Sequence, residues 1–334
     1  MEVVELDSSR TDEKKAVWLH AVVVAAETVA SDILLLRLES PNDEVLAAYE
    51  PGAHVAIQCG TEAVRHYSLT GPGRESGVYE LGIKLAPEGT GGSRWLFEHA
   101  TPGTRIALSV PRNHFPLVDG AGPFLFISGG IGITPIISML YALKARGVRA
   151  RLVHLCRDPA SLGFGAWLSE LASFHQIHVH HDSQATALYD LEAEIWQAPE
   201  GAHVYCCGPS GLMDAVREVG EAAGLTERLH FEFFEAPVTT RDISQDAEFT
   251  VVQHSTGREI PVAPTQTMLG AIREAGIVMK SECEYGVCGW CAVDVVDGMP
   301  AHFDSYLTDA EKRANKLVLP CVSRCKSARI TLDI

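Results

Sequence analysis

Along the first third of the chain, apolar residues come in short β-rich runs. Leu34-Leu35-Leu36-Arg37-Leu38 and His54-Val55-Ala56-Ile57 are two of them, and Pro-Gly pairs at 51–52 and 102–103 punctuate the series. Runs of this length between turn signals are strands, and their spacing over 17–118 predicts a small antiparallel β-barrel. From 124 to 235 the rhythm changes to strand then helix. Strand 124–128, a helix through Leu140, strand 151–156, helix 166–171, strand 177–180, strand 203–206 and a helix after Ser210 follow one another. That alternation predicts an α/β domain with a doubly wound parallel sheet.

Residues 236–247 lack apolar periodicity and carry Pro237, Thr239, Thr240 and Ser244, the composition of a linker. Beyond it the pattern predicts a hairpin around 254–257, a helix over 268–275 closed by Gly276, and a short helix opening at Thr308, where Glu311 completes a capping box. The expected division is an N-terminal extension 1–15, a barrel 16–119, an α/β domain 120–236, a linker 237–247 and a third domain 248–334.

Composition narrows the possibilities. The 334 residues exceed one ordinary core, and 46% hydrophobic against 21% charged residues suffice for several. A net charge of −16 repels phosphate backbones and anionic lipid, so neither nucleic acid nor a membrane surface is an expected partner. The uncharged stretch 120–143 is interrupted by glycines and prolines and reads as strand, turn and helix rather than a membrane span. Residues 1–15 are charged and lack the order of a signal peptide, which predicts a cytoplasmic protein. Its nine cysteines are then thiols or metal ligands rather than disulfides.

Four of those cysteines, Cys283, Cys288, Cys291 and Cys321, are spaced C-x4-C-x2-C with the last far downstream, the plant-type [2Fe–2S] arrangement. Gly286 and Gly289 permit the tight loop that three ligands within nine residues require. A structural zinc site would need a second C-x2-C or H-x3-H, and none follows.

Two further sites are suggested upstream. Arg65-His66-Tyr67-Ser68 on a barrel strand, then Ile83-Lys84 and Gly91-Gly92-Ser93, could hold FMN. Arg65 and the glycine turn, with a helix over 94–99 behind it, would bind its phosphate, while Tyr67 and Ser68 would meet the ring. Gly129-Gly130-Ile131-Gly132-Ile133-Thr134-Pro135 follows a strand and departs from the dinucleotide fingerprint by Pro135 in the third glycine place. Pro135 suits a first helical turn, where a missing N–H costs nothing. Cys207-Gly208-Pro209 puts a thiol and a sharp turn at the carboxyl edge of the sheet, where ligands of open α/β sheets bind. Asp158 could accept from an adenine-ribose hydroxyl, while Arg157 would equally suit a 2′-phosphate, so NADH against NADPH is weakly encoded.

These motifs, with Pro111-Arg112-Asn113-His114-Phe115-Pro116-Leu117 between them, stand in one order, and from residue 17 onward the chain resembles the phthalate dioxygenase reductase family. The resemblance implies FMN in an N-terminal barrel, NADH in the middle domain and a β-grasp plant-type ferredoxin domain (α+β) at the end. It implies a terminal Rieske oxygenase as partner, serving an aromatic acid, with a monomer sufficient. It places Arg65, Tyr67, Ser68, Lys84, Gly91, Gly92 and Ser93 around FMN, Thr134 between flavin and nicotinamide, and Cys207-Gly208-Pro209 near the hydride-donating carbon. Phe233 or Phe234 would line the flavin. Where ferredoxin loops of the family carry a small residue, this chain has Trp290, for which a docking role is expected. Cys325, four residues past Cys321, is expected to be a packed thiol.

NADH gives two electrons at once and a [2Fe–2S] cluster accepts one, so a flavin must divide the pair, and no proton-transfer dyad is expected. Plant-type clusters near about −400 mV deliver electrons downhill to Rieske centres. Two other readings compete: a free-standing flavin iron-sulfur reductase for small acceptors, and a redox-sensing iron-sulfur module.

Overall fold

The structure is a computed structural model that describes residues 18–42, 46–60, 63–72, 77–86, 91–120, 122–234, 246–281, 284, 286, 289–304, 306–307 and 309–334. The chain divides into two compact units, Met1–Glu232 and Phe233–Ile334. The expected N-terminal extension lies outside the described residues, as does nearly all of the expected linker.

The first sheet is antiparallel and six-stranded. Its strands are β1 (Trp18–Ala30), β2 (Ile33–Glu39), β3 (His54–Cys59), β4 (Ala63–Ser68), β5 (Val78–Lys84) and, after helix α1 (Gly92–His99), β6 (Arg105–Ser109). They are ordered β4-β3-β6-β1-β2-β5, and a bridge between Leu69 and Leu81 joins the two edge strands, so the sheet curls into the expected barrel. Two register shifts in β1 allow so long a strand to bend round it.

The unbroken apolar run in β2 has a structural cause. Leu34, Leu36 and Leu38 face the barrel core, whereas Ile33 and Leu35 belong to the core of the next sheet. Side chains on a strand alternate faces, so burying both faces demands a continuous run.

The second sheet is built from β7 (Phe124–Gly129), α2 (Ile133–Ala145), β8 (Arg151–Cys156), α3 (Gly165–Leu171), β9 (Gln176–His181), α4 (Leu191–Trp196), β10 (His203–Cys207), α5 (Ser210–Ala222) and β11 (Leu229–Glu232). All its pairings are parallel, in the order β11-β10-β7-β8-β9. Strand order therefore reverses between β7 and β10, which opens a crevice at their carboxyl ends.

The connector to this sheet is pinned at several points. Tyr205 Oη accepts from the Val118 N–H at 2.9 Å and donates to the Pro116 carbonyl at 3.1 Å. Gly52 (φ 89) donates its N–H to Ser138 Oγ at 3.0 Å, and a Cβ there would stand 2.0 Å from the Phe115 carbonyl oxygen. The 111–117 motif thus ties the barrel to α2.

The second unit holds β12 (Phe249–Gln253), β13 (Glu259–Val262), α6 (Met268–Glu274), β14 (Val293–Ala301), α7 (Asp309–Ala314), β15 (Leu317–Val318) and β16 (Arg324–Leu332). This sheet is mixed, ordered β13-β12-β16-β14-β15, with β12 and β16 parallel. The buried Arg324 guanidinium donates to the carbonyls of Gln266, Ala247 and Ala263, closing the strand ends together. The capping box expected at Thr308 lies outside the described residues.

Candidate functional site

Strand β4 carries Arg65, His66, Tyr67 and Ser68 toward the seam where Leu69 meets β5. Ser68 is buried, and its hydroxyl has no hydrogen-bond partner among the described residues. Leaving such a group unpaired costs about 1–3 kcal/mol, so the seam lacks a polar partner that the edge of a flavin ring can supply. Tyr67 leans on the barrel core, and burial, with Cys59 adding, pushes its phenol far up against the pull of Arg65, so it stays a neutral donor.

Helix α1 starts at Gly92, two residues earlier than expected, because Gly91 takes a left-handed conformation (φ 92) and begins the helix without a side-chain cap. The Arg65 stem crosses that start, 2.7 Å from where a Gly92 Cβ would stand. A guanidinium beside uncapped helical N–H groups suits a phosphate. Ser93 Oγ already accepts from the Ala86 N–H at 3.0 Å. Ile83 is buried in the barrel core, so only its backbone is free to serve a cofactor, while Lys84 is exposed at the strand end, 4.0 Å from Asp32. The residues present fit a flavin phosphate and ring.

At the crevice of the second sheet, glycines let two loops touch. A Cβ on Gly132 would lie 2.2 Å from the Cys207 carbonyl oxygen, one on Gly129 would lie 2.7 Å from Pro209 Cδ, and one on Gly208 would lie 2.9 Å from the Gly129 nitrogen. Gly130 (φ 53) turns the chain into α2, and Pro135 sits in its first turn as expected. Thr134 is buried, its hydroxyl donating to the Ile131 carbonyl at 2.9 Å.

The Thr134 methyl reaches β5: a Cβ on Gly82 would meet Thr134 Cγ2 and Phe164 Cζ, each at 2.6 Å. Residues 52 positions apart in sequence, Gly82 and Thr134, therefore bring β5 and the nucleotide turn into contact. Cys207 is fully buried, and that burial pushes its thiol well above the ordinary range, so it serves as a neutral wall of the crevice. Asp158 Oδ1 accepts from the Ser161 N–H at 2.9 Å and caps a short turn. Sequence reasoning missed Phe164 and the buried pair Ser128–His154, whose Oγ and Nδ1 stand 2.8 Å apart.

In the second unit Cys291 and Cys321 are buried among Leu269, Leu307 and Leu319, with their sulfurs 3.2 Å apart. Two thiols at that separation can grip one iron, and an apolar shell of this kind tunes a cluster's potential. Cys283 and Cys288 lie outside the described residues. Gly286 (φ 75) and Gly289 (φ 74) both adopt the left-handed conformation that the tight loop requires. A Cβ on Gly289 would enter the Tyr306 ring, and one on Gly286 would meet Val322 and Asp304. The residues fit a plant-type cluster.

Trp290 is 44% and Tyr306 52% exposed, so two aromatic surfaces flank the loop. Glu284 lies within the loop at φ 59. Burial would raise its carboxyl, yet hydrogen bonds from Ser281 and Arg273 hold it below the usual range. Cys325 Sγ contacts Ser327 Oγ at 3.1 Å and has the carbonyls of Arg329 and Met299 within reach of its one S–H, at 3.4 and 3.5 Å, the packed thiol that was expected. Phe233 and Phe234 follow β11 at the head of the second unit.

Three family models match in chain order: an oxidoreductase FAD-binding domain over 20–116, an oxidoreductase NAD-binding domain over 126–218, and a 2Fe-2S iron-sulfur cluster binding domain over 251–326. The phenoxybenzoate dioxygenase subunit beta of Ectopseudomonas oleovorans is 36% identical, covering 95% of this chain and 96% of its own length. A solved phthalate dioxygenase reductase, described as a modular structure for electron transfer from pyridine nucleotides to [2Fe-2S], is 34% identical with a TM-score of 0.68, covering 95% of this chain and 98% of that one. An intact type IV self-sufficient cytochrome P450 monooxygenase aligns at 32% identity and a TM-score of 0.81 over 98% of this chain, which spans only 43% of that longer protein. No described helix is long and apolar enough to cross a membrane.

Proposed function

Because the chain belongs to the phthalate dioxygenase reductase family, we propose that it is the reductase component of a two-component Rieske oxygenase system. On this reading it oxidises NADH, carries FMN rather than FAD, works as a cytoplasmic monomer and serves an oxygenase acting on an aromatic acid. The observation that carries the proposal is the contact of β5 with the first turn of α2 through Gly82 and Thr134. That contact sets a flavin strand against a nucleotide turn inside one compact unit.

Bound flavin supplies the two-to-one electron conversion that the side chains cannot. Arg65 and the start of α1 hold its phosphate, and Ser68 and Tyr67 donate to its ring. Thr134, Pro135 and the Gly129–Gly132 turn position the nicotinamide. Cys207-Gly208-Pro209 walls the crevice against water, and Asp158, at the end of β8, takes the adenine ribose. Cys283, Cys288, Cys291 and Cys321 hold the cluster.

The test is anaerobic addition of NADH to holoprotein truncated after residue 247 and to the full chain. Retained NADH oxidation with loss of oxygenase reduction in the truncated protein supports the reading. Equal oxygenase reduction by both proteins overturns it in favour of a free-standing reductase. A second reading, delivery to a haem monooxygenase, is favoured by the TM-score of 0.81 to the cytochrome P450 fusion. Trp290 is assigned to docking: Trp290→Thr slows oxygenase reduction about tenfold and leaves ferricyanide reduction unchanged, and equal loss of both removes that role.

A further inference from the structure

The second unit contains a cleft of about 570 Å³ lined by His302, Phe303, Lys312, Arg313, Asn315 and Lys326. Three of these residues are cations, on a protein whose net charge is −16. Asn315 (φ 52) makes the left-handed turn that leads from α7 into β15. Arg313 and Lys326 have no carboxylate partner among the described residues. Lys312 Nζ donates to the Asp304 carbonyl oxygen at 2.7 Å and stands 3.9 Å from the Asp304 carboxylate, which is itself fully buried and accepts from the Leu307 N–H at 2.8 Å.

His302 carries the argument further. Its side chain is only 8% exposed and lines the cleft, yet neither ring nitrogen has a hydrogen-bond partner among the described residues. Asp304 Oδ1 stands 3.6 Å from His302 Nδ1, beyond hydrogen-bond length. A buried ring with unmet polar atoms beside unpaired cations describes a site built for an anion.

The position of the cleft identifies the anion. Asp304 sits between His302 and the cluster loop, with its Cα and Cβ 3.1 and 3.2 Å from where a Gly286 Cβ would stand. An anion in this cleft is therefore held beside the loop through which electrons leave. We propose that the cleft receives a carboxylate-bearing surface loop of the electron-accepting protein, an inference that rests on the reductase reading above. On a molecule this acidic, an acidic partner is repelled over most of the surface and attracted here, which fixes one orientation with the cluster loop facing the acceptor.

The probe is a fluorescein-labelled hexaglutamate peptide, titrated into holoprotein and followed by anisotropy. Wild type is expected to bind it, and Arg313→Glu/Lys326→Glu to weaken binding by about tenfold or more. Arg258→Glu, which removes an exposed cation from the far hairpin, should leave binding unchanged. Retained flavin and cluster absorbance certifies the fold. If the double Glu variant loses it, Arg313→Gln/Lys326→Gln takes its place, with a smaller weakening in the same direction.

No binding by wild type, or equal weakening by Arg258→Glu, overturns the proposal. Displacement of the peptide by an equal concentration of inorganic phosphate makes the cleft a small-anion site and overturns it too. The two readings fail separately. Peptide binding without reduction of any Rieske oxygenase sinks the assigned function and leaves the cleft standing. Oxygenase reduction with an unchanged KM in the double variant sinks the cleft and leaves the function standing.

Discussion

In the unit ending at Glu232, the parts that matter meet where a glycine leaves no side chain in the way. Gly132 against the Cys207 carbonyl, Gly208 against the Gly129 nitrogen and Gly82 against Thr134 each leave less than 3 Å for a new carbon. In the unit from Phe233 onward, contact is made by functional groups instead. Paired thiols, the Asp304 carboxylate and the Arg324 guanidinium are all buried, the thiols within an apolar cluster. A two-electron transfer needs donor and acceptor in contact, so the first unit spends its glycines on proximity. A one-electron carrier needs ligands and a controlled environment, so the second spends its buried polar groups there. The first unit should therefore fail when matter is added, and the second when a group is removed.

The largest expected effect is in the second unit. Cys321→Ser removes one of the two sulfurs standing 3.2 Å apart, so iron and cluster absorbance should be lost with NADH-driven flavin reduction retained. Iron analysis and stopped-flow absorbance check this, and a fully loaded cluster in the variant would break the comparison. Next is Gly132→Ala, whose Cβ has no room beside the Cys207 carbonyl oxygen, 2.2 Å away. Overpacking against backbone costs about 1–3 kcal/mol, and misplacement by an ångström slows transfer by roughly 100-fold, read as the rate of flavin bleaching by NADH.

A third effect depends on acid. Burial, then the charge of His181, lowers His154 to about 4 against an ordinary 6.5, while its Ser128 contact opposes the shift. Between these values the unfolded chain binds the proton and the folded chain does not. Stability is therefore complete above about pH 6.5 and falls as pH drops toward 4, by about 3 kcal/mol. The denaturant midpoint, followed by flavin release, should show this slope, and His154→Gln should make it shallower without abolishing it, because burial also lowers His230 to about 4. The smallest effect is Ser68→Ala. On the proposed assignment of Ser68 to the flavin ring, losing its one hydrogen bond costs about 1 kcal/mol, a fivefold weaker cofactor affinity, measured by flavin retention on dilution.

Much of this organisation was legible in the sequence because its causes are local. The cysteine spacing, the glycines that need positive φ, the Pro-Gly turns and the change from strand runs to strand-helix alternation each act over a few residues. The apolar run in β2 was readable as a strand, but its reason, two cores on two faces, requires the neighbouring domain. The same holds for Thr134 against Gly82 and for Phe164, since no periodicity links residues so far apart. The cation cleft had no signature either: His302, Arg313 and Lys326 converge only after β14, α7 and β16 fold together. Helix α1 began earlier than expected because a left-handed Gly91 starts it without a polar cap, and cap-based reading looks for a side chain.

The central claim is that an electron pair enters the first unit as hydride and leaves the second as single electrons. Anaerobic rapid mixing of holoprotein with two equivalents of NADH, enough for the three electrons that flavin and cluster together accept, followed at flavin and cluster wavelengths, tests it most directly. Flavin bleaching that precedes cluster bleaching, with both complete, is the expected result. A cluster that stays oxidised after the flavin is reduced, or one that is reduced in protein stripped of flavin, would contradict the account.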